Sequence, residues 1–299
     1  MITFNERVVI VTGAGGGLGR GYAREFARRG AALVVNDLGG SVAGEGATDT
    51  AQDVVDEIIA DGGRAVASRD SVATPEGGMA IVDTALEAFG RVDVLVNNAG
   101  ILRDKSFLKL ESADLEAVLD VHLRGAFNVT KPAFAQMKEQ GYGRLLFTSS
   151  NAGIFGNFGQ TNYGAAKAGL VGLSNVLAIE GERFGITSNA IMPVAKTRMT
   201  EALLGPLGDL VSPDQVTPLV VYLCSEQCTL THEVFSAVAG RFARVFIGVT
   251  DGWYGPGEVS AEDIETNIDR IEDRTQYTVP LSTTDELQNL LSSIQAAAN

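Results

Sequence analysis

The chain has 299 residues, 45% hydrophobic and 20% charged, enough apolar material for a large core and too much for intrinsic disorder. The 37 acidic residues outnumber the 23 basic ones, a net charge of -14 with no basic stripe, which excludes a nucleic-acid partner. Two Cys exclude a disulfide scaffold, and without a membrane-length apolar run or a signal-peptide layout in MITFNERVVIVTG the expected setting is cytoplasmic, with no membrane contact.

Short β-branched runs alternate with longer amphipathic stretches. The first strand, Val8–Val11, runs straight into Thr12-Gly13-Ala14-Gly15-Gly16-Gly17-Leu18-Gly19, which opens the helix Leu18–Arg29. So few Cβ atoms let the backbone turn tightly and approach a pyrophosphate, to which the helix N-terminus presents free N–H groups. Gly13, Gly17, Leu18 and Gly19 are therefore candidate cofactor contacts. The second strand, Ala32–Asn36, ends at Asp37, a carboxylate placed to accept hydrogen bonds from the adenosine ribose and to repel a 2′-phosphate. No Arg or Lys lies within the glycine turn to offset that repulsion, so the expected cofactor is NAD.

After the helix Thr50–Asp61 and the strand Arg64–Arg69, the stretch Asp70-Ser71-Val72 is the next edge to meet the adenine. Pro75–Phe89 reads as helix and Val92–Asn97 as strand, and Asn98 follows where loops face the cofactor. The long helical stretch Ser112–Gln140, the strand Arg144–Ser149, the helix Tyr163–Glu180 and the strand Thr187–Met192 continue the alternation. The runs VVIV, ALVV and VDVLV are apolar throughout, as strands buried on both faces should be. The expected fold is α/β, a doubly wound parallel sheet of Rossmann type with helices on both faces.

Residues 1–250 are read as the dinucleotide-binding and catalytic domain. Residues 251–299 carry ten acidic and two basic side chains, -8 of the total -14, and are read as an extension packed on that domain. Two weak helices are expected in it, Ala261–Arg274 and Thr284–Ile294.

Tyr163 and Lys167 are four apart on a helix and so share a face, and Ser150 precedes Tyr163 by thirteen positions at a strand end. An ammonium beside a phenol favours the phenolate, drawing the Tyr163 pKa toward working pH. The Ser150 hydroxyl can hold the oxygen of an alcohol or carbonyl. Cys224, Cys228 and His232 share a spacing of four, but structural zinc wants four ligands at tighter spacing, so no metal is expected.

The pieces TGAGGGLG, NNAG and SSNAG, with YGAAK preceded by Ser150, together resemble the short-chain dehydrogenase/reductase family over residues 5 to about 240. The resemblance implies Tyr163 as acid/base, Lys167 as the holder of the cofactor ribose, and Ser150 as the positioner of the substrate oxygen. It also implies a homodimer or homotetramer formed through the helices Ser112–Gln140 and Tyr163–Glu180. Many members carry an Asn in the middle helix that helps hold a water, and the matching position here is His122, whose neutral imidazole can also donate and accept. The common Pro-Gly after strand six is Pro193-Val194, in a loop whose Thr197 should touch the nicotinamide carboxamide.

The stretches VVNDLGG (34–40), NNAGILRDKSF (97–107), VHLRGAF (121–127) and GNFGQTNY (156–163) are similar to the branch that oxidises (3R)-3-hydroxyacyl-CoA. The implied reaction is NAD-dependent oxidation of such a thioester to the 3-oxoacyl-CoA. A 3-oxoacyl-carrier reductase, a hydroxysteroid dehydrogenase and a catalytically silent dinucleotide-binding partner are the rival readings. Arg103, Lys105, Lys109, Lys196 and Arg198 flank the expected site and could meet CoA phosphates.

Overall fold

Strands whose every side chain is buried demand cover on both faces, and the sheet supplies it. A computed structural model describes residues 1–200 and 210–298. Its main sheet has eight strands: β1 (Val8–Thr12), β2 (Ala32–Asn36), β3 (Arg64–Ser68), β4 (Val94–Asn97), β5 (Gly143–Thr148), β6 (Ile186–Val194), β7 (Glu233–Val238) and β8 (Arg241–Val245). They lie in the order β3-β2-β1-β4-β5-β6-β7-β8. The first seven pair in parallel, with Val9 facing Leu33 on one side and Val94 on the other. In β1, β2, β4 and β5 every residue is buried, as the continuous apolar runs predict. The strand order reverses between β1 and β4, which opens a crevice at the carboxyl ends of these strands.

The helices are α1 (Gly17–Arg28), α2 (Thr50–Ala60), α3 (Pro75–Phe89), α4 (Ser112–Leu119), α5 (Gly125–Gln140), α6 (Asn151–Phe155), α7 (Thr161–Gly181) and α8 (Thr217–Leu223). α1, α2 and α8 cover one face, where Tyr22 and Phe26 pack on Val9, Val11, Leu33 and Val35. α3, α5 and α7 cover the other. α3 shows why its boundaries are legible: the Thr74 side chain accepts from Gly77 N at 3.1 Å, Pro75 follows, and Gly90 closes it at φ 77.

The expected Ser112–Gln140 helix is continuous but not uniform. Between α4 and α5 the chain widens into one π-helical turn, Asp120–Arg124, centred on His122. Such a turn inserts a residue into the helical repeat and re-aims its side chains, a feature that often marks functional sites. Ser150 does not end β5 as expected. It lies two residues beyond and caps α6, its Oγ accepting from Ala152 N at 3.2 Å.

β7 and β8, absent from the sequence reading, are joined by Ala239 and Gly240 at φ 50 and 76, the left-handed pair of a two-residue hairpin turn. A connection that short allows only antiparallel pairing. The described chain divides into two compact units, residues 1–244 and 245–299. In the second, Val249–Thr250 pairs antiparallel with Tyr277–Thr278, and Phe246 stacks on Tyr277 at 5.6 Å. The helix expected over Ala261–Arg274 stops earlier, as Ala261–Thr266 and Ile268–Ile271 separated by Asn267, and a third runs Thr283–Ala298. Among the described residues no helix is long and apolar enough to cross a membrane.

Candidate active site

The crevice at the strand ends is a cleft of about 600 Å³. At one end the glycine turn closes on itself. A Cβ at Gly19 would stand 2.3 Å from Gly13 O and 2.7 Å from Asn98 Nδ2, so no other residue fits there. Gly13, Gly17 and Leu18 border the cleft, whereas Gly19 lies beneath the turn and serves its packing.

Asp37 braces this turn. Its Oδ2 accepts from Gly15 N at 2.8 Å and its Oδ1 from Gly39 N at 2.7 Å, which leaves each oxygen a lone pair for an incoming hydroxyl. Asp70, Ser71 and Val72 form the neighbouring wall. Asn98 borders the cleft too, but both its amide bonds, 3.0 Å to Thr12 O and 3.0 Å to Gly13 O, go to the turn itself. It therefore shapes the cradle rather than offering a free donor. Thr12, which the sequence reading passed over, fixes the same loop by accepting from Asn98 N and Ala99 N at 3.0 and 3.1 Å. A cradle floored by glycine, open at a helix N-terminus and edged by a carboxylate fits a dinucleotide.

Further along the cleft stand Ser150, Tyr163, Lys167 and His122. The Lys167 ammonium nitrogen lies 5.5 Å from the centre of the Tyr163 ring and donates to Thr148 O. Burial pushes Lys167 down to about 7. Burial also raises Tyr163, which the hydrogen bond with Ser150 opposes and the Asp104 charge reinforces. The expected lowering of Tyr163 by Lys167 does not appear: desolvation dominates, and it is Ser150 that opposes the rise.

His122, only 3% exposed, meets the Tyr163 ring edge-on at 5.1 Å. Its Nε2 is shared between Ile101 N at 3.0 Å and Ile101 O at 2.8 Å, while Nδ1 is buried with no partner. Burial and then the Lys167 charge hold the imidazole well below its usual range, against the Ile101 carbonyl, and so neutral. The ring fits because position 100 is glycine, where a Cβ would stand 2.3 Å from His122 Cε1. Behind it lies a cavity of about 10 Å³ lined by Thr12, Asn97 and His122 among others, room for one water.

The basic residues that flank the cleft divide. Arg103 donates to Ala43 O at 3.0 Å and lies 3.6 Å from Asp114, and Lys105 pairs with Asp114 at 3.1 Å, so both are committed to loop structure. The Arg103 bond and a second one, Leu102 N to Val42 O at 2.9 Å, strap the loop after β2 to the loop after β4. Arg198 stands beside Gly16, its Nη2 3.3 Å from where a Cβ would be. Thr197 borders the cleft, 3.3 Å from the Cβ position of Gly17. Gln160, also on the cleft wall, donates to Asp104 Oδ2 at 2.6 Å and was missed from sequence, because nothing local separates it from an ordinary loop amide.

A sheet of this order, a glycine turn at its switch point and a Ser–Tyr–Lys cluster down the same cleft define a dinucleotide-dependent oxidoreductase. Residues 7–205 match the short chain dehydrogenase family model, and the chain belongs to that family, whose dehydrogenases use nicotinamide dinucleotides. It is 54% identical over 246 residues to peroxisomal multifunctional enzyme type 2 from Mus musculus, covering 82% of this chain and 33% of that protein. It is 39% identical over 237 residues to a hydroxyacyl-CoA dehydrogenase from Mycobacterium tuberculosis, covering 73% of each. The full-length peroxisomal multifunctional enzyme type 2 from Drosophila melanogaster superposes with a TM-score of 0.83 at 37% identity, over 99% of this chain and 50% of that one. The chain thus spans only a third to a half of these multifunctional relatives.

Proposed function

We propose that the chain oxidises (3R)-3-hydroxyacyl-CoA thioesters to 3-oxoacyl-CoA with NAD. The observation that carries the reading is the convergence of Ser150, Tyr163 and Lys167 on one cleft with the glycine turn and Asp37. The relatives named above supply the substrate class. Asp37 supports NAD because its carboxylate edges the turn where a 2′-phosphate would bring like charge.

The glycine turn, Asp37 and Asp70-Ser71-Val72 would hold the adenosine half of the cofactor, and Thr197 the nicotinamide half. When bound, the nicotinamide ring supplies a hydride acceptor for C3 of the substrate. The chain's own residues handle the proton. Ser150, on the same cleft wall as Tyr163, holds the substrate oxygen against the phenol. Tyr163 takes the hydroxyl proton as the carbonyl forms. Lys167, pushed down to about 7 by burial, is protonated in part near neutrality, and in that form it stabilises the phenolate that must precede each turnover. His122 and a water in the small cavity behind it continue the proton path away from Lys167.

NADH formation across 3-hydroxyacyl-CoA thioesters of both epimers tests the reading. Turnover of the (3R) series is expected. Inactivity toward that series beside robust turnover of steroid alcohols would overturn the substrate assignment. Self-association through α5 and α7 accords with the half-exposed Phe127, Val176 and Ile179 on those helices, and sedimentation analysis checks it.

A further inference from the structure

Arg198 lies on the segment that follows β6, more than 180 residues from the glycine turn in sequence, yet the fold carries it across the mouth of α1. Two approaches fix the crossing: Thr197 Cγ2 and Arg198 Nη2 each stand 3.3 Å from the Cβ positions of Gly17 and Gly16. The segment is held in shape from within. Thr197 N donates to Thr200 Oγ1 at 2.9 Å, Met199 N to Thr197 Oγ1 at 3.2 Å, and Thr200 N to Thr197 O at 3.0 Å. An exposed side chain on such a knotted turn is aimed by its backbone.

Gly16 caps α1 with no side-chain bond, and the first turn of α1 holds no acidic residue. Arg198 has no ion-pair partner among the described residues. Asp37 is bound at Gly15, one residue away along the turn, and both its oxygens already accept backbone N–H groups. Guanidinium and helix N-terminus therefore meet at Gly16, with the Asp37 carboxylate held one residue along the turn by the amides of Gly15 and Gly39. Such a corner selects an anion with several oxygens that can meet a planar fork and backbone amides together.

We propose that Arg198 is a specificity-determining residue for the cofactor's diphosphate, closing over it from the substrate side of the cleft. The assignment rests on the dinucleotide reading of the site. It makes the Pro193–Thr200 segment answer to the cofactor, because Thr197 and Arg198 border the same turn. It also assigns Arg198 to the cofactor rather than to CoA.

Calorimetric titration of the full chain with ADP-ribose tests this, with Arg198→Gln and Arg198→Lys compared with the unaltered protein. Arg198→Gln should weaken ADP-ribose about tenfold, the scale of one charge-assisted hydrogen bond, and flatten the dependence of its affinity on salt. Arg198→Lys, which keeps the charge but loses the fork, should recover part of the affinity and most of the salt dependence. Affinity within about twofold of the unaltered protein for Arg198→Gln overturns the proposal. So does a rise in KM confined to acyl-CoA and absent for the matching acyl-pantetheine thioester, which assigns the guanidinium to the substrate's phosphates. If the unaltered protein binds neither ADP-ribose nor NADH, the dinucleotide reading itself falls, a result distinct from an Arg198 variant that binds normally.

Discussion

Replacing His122 tests the proton path most directly, because the surroundings of this ring separate a chemical role from a packing role. Its Nε2 is shared by the two backbone groups of Ile101, and its Nδ1 has no protein partner. In either tautomer Nδ1 is left as a bare acceptor or a bare donor, a burial that costs about 1–3 kcal/mol unless a water meets it. His122→Leu removes that atom but leaves the buried Ile101 amide and carbonyl without their Nε2 contact, a loss of the same size, about 1–3 kcal/mol. The two changes nearly offset, so thermal stability should shift by no more than about 1 kcal/mol. Turnover should fall by about 10²-fold, the low end of general acid–base contributions, with NADH affinity nearly unchanged. His122→Asn restores one donor and one acceptor with less bulk and should keep most of the activity. Steady-state kinetics, NADH fluorescence titration and thermal unfolding on all three proteins give the answer. A folded His122→Leu enzyme that turns over like the unaltered one would show that the proton leaves elsewhere and that His122 only packs.

Tyr163→Phe keeps the ring and leaves Lys167 in place, so NADH should bind within about twofold while oxidation falls by at least about 10²-fold; retained turnover would remove Tyr163 from the acid/base role. NAD should be preferred over NADP by at least about tenfold, or 1.4 kcal/mol, and Asp37→Ala should narrow the gap; equal turnover with both cofactors before any mutation would refute the role of the carboxylate. Lys167 titrates at about 7 in the fold, below its ordinary 10.5, so the unfolded chain binds a proton between these values that the folded chain does not. Stability should therefore rise with pH from about 7 to 10.5 and lose this contribution as pH falls back to about 7. Lys167→Met lacks that slope, and its melting temperature should exceed the unaltered protein's by more at pH 7 than at pH 10; a constant difference would contradict the buried-amine account.

Local chemistry made the fold legible. Three strands buried on both faces need continuous apolar runs, and VVIV, ALVV and VDVLV could be read as such without any partner known. Thr74-Pro75 and Gly90 set the limits of α3 by capping rules that act within a few residues. The Tyr163–Lys167 spacing placed both on one helical face, because i,i+4 geometry belongs to any helix. β7 and β8 escaped because their burial is mixed and their turn is the unobvious Ala239-Gly240.

What the sequence determined by itself was everything carried by neighbours along the chain: the strand runs, the glycine turn, the carboxylate after β2, and the residue types of the Ser150, Tyr163 and Lys167 cluster. Tertiary structure decided how those groups are spent and charged. Asn98 turned from a prospective cofactor contact into a clamp on Thr12 and Gly13, and Arg103 and Lys105 from free cations into partners of Asp114. Arg198 came to the glycine turn from the far side of the cleft, supplying the basic neighbour that the turn's own sequence lacks. Tyr163 went up and Lys167 down, because a pKa responds to how much water the whole fold excludes around a group, and that exclusion is set by elements distant in sequence.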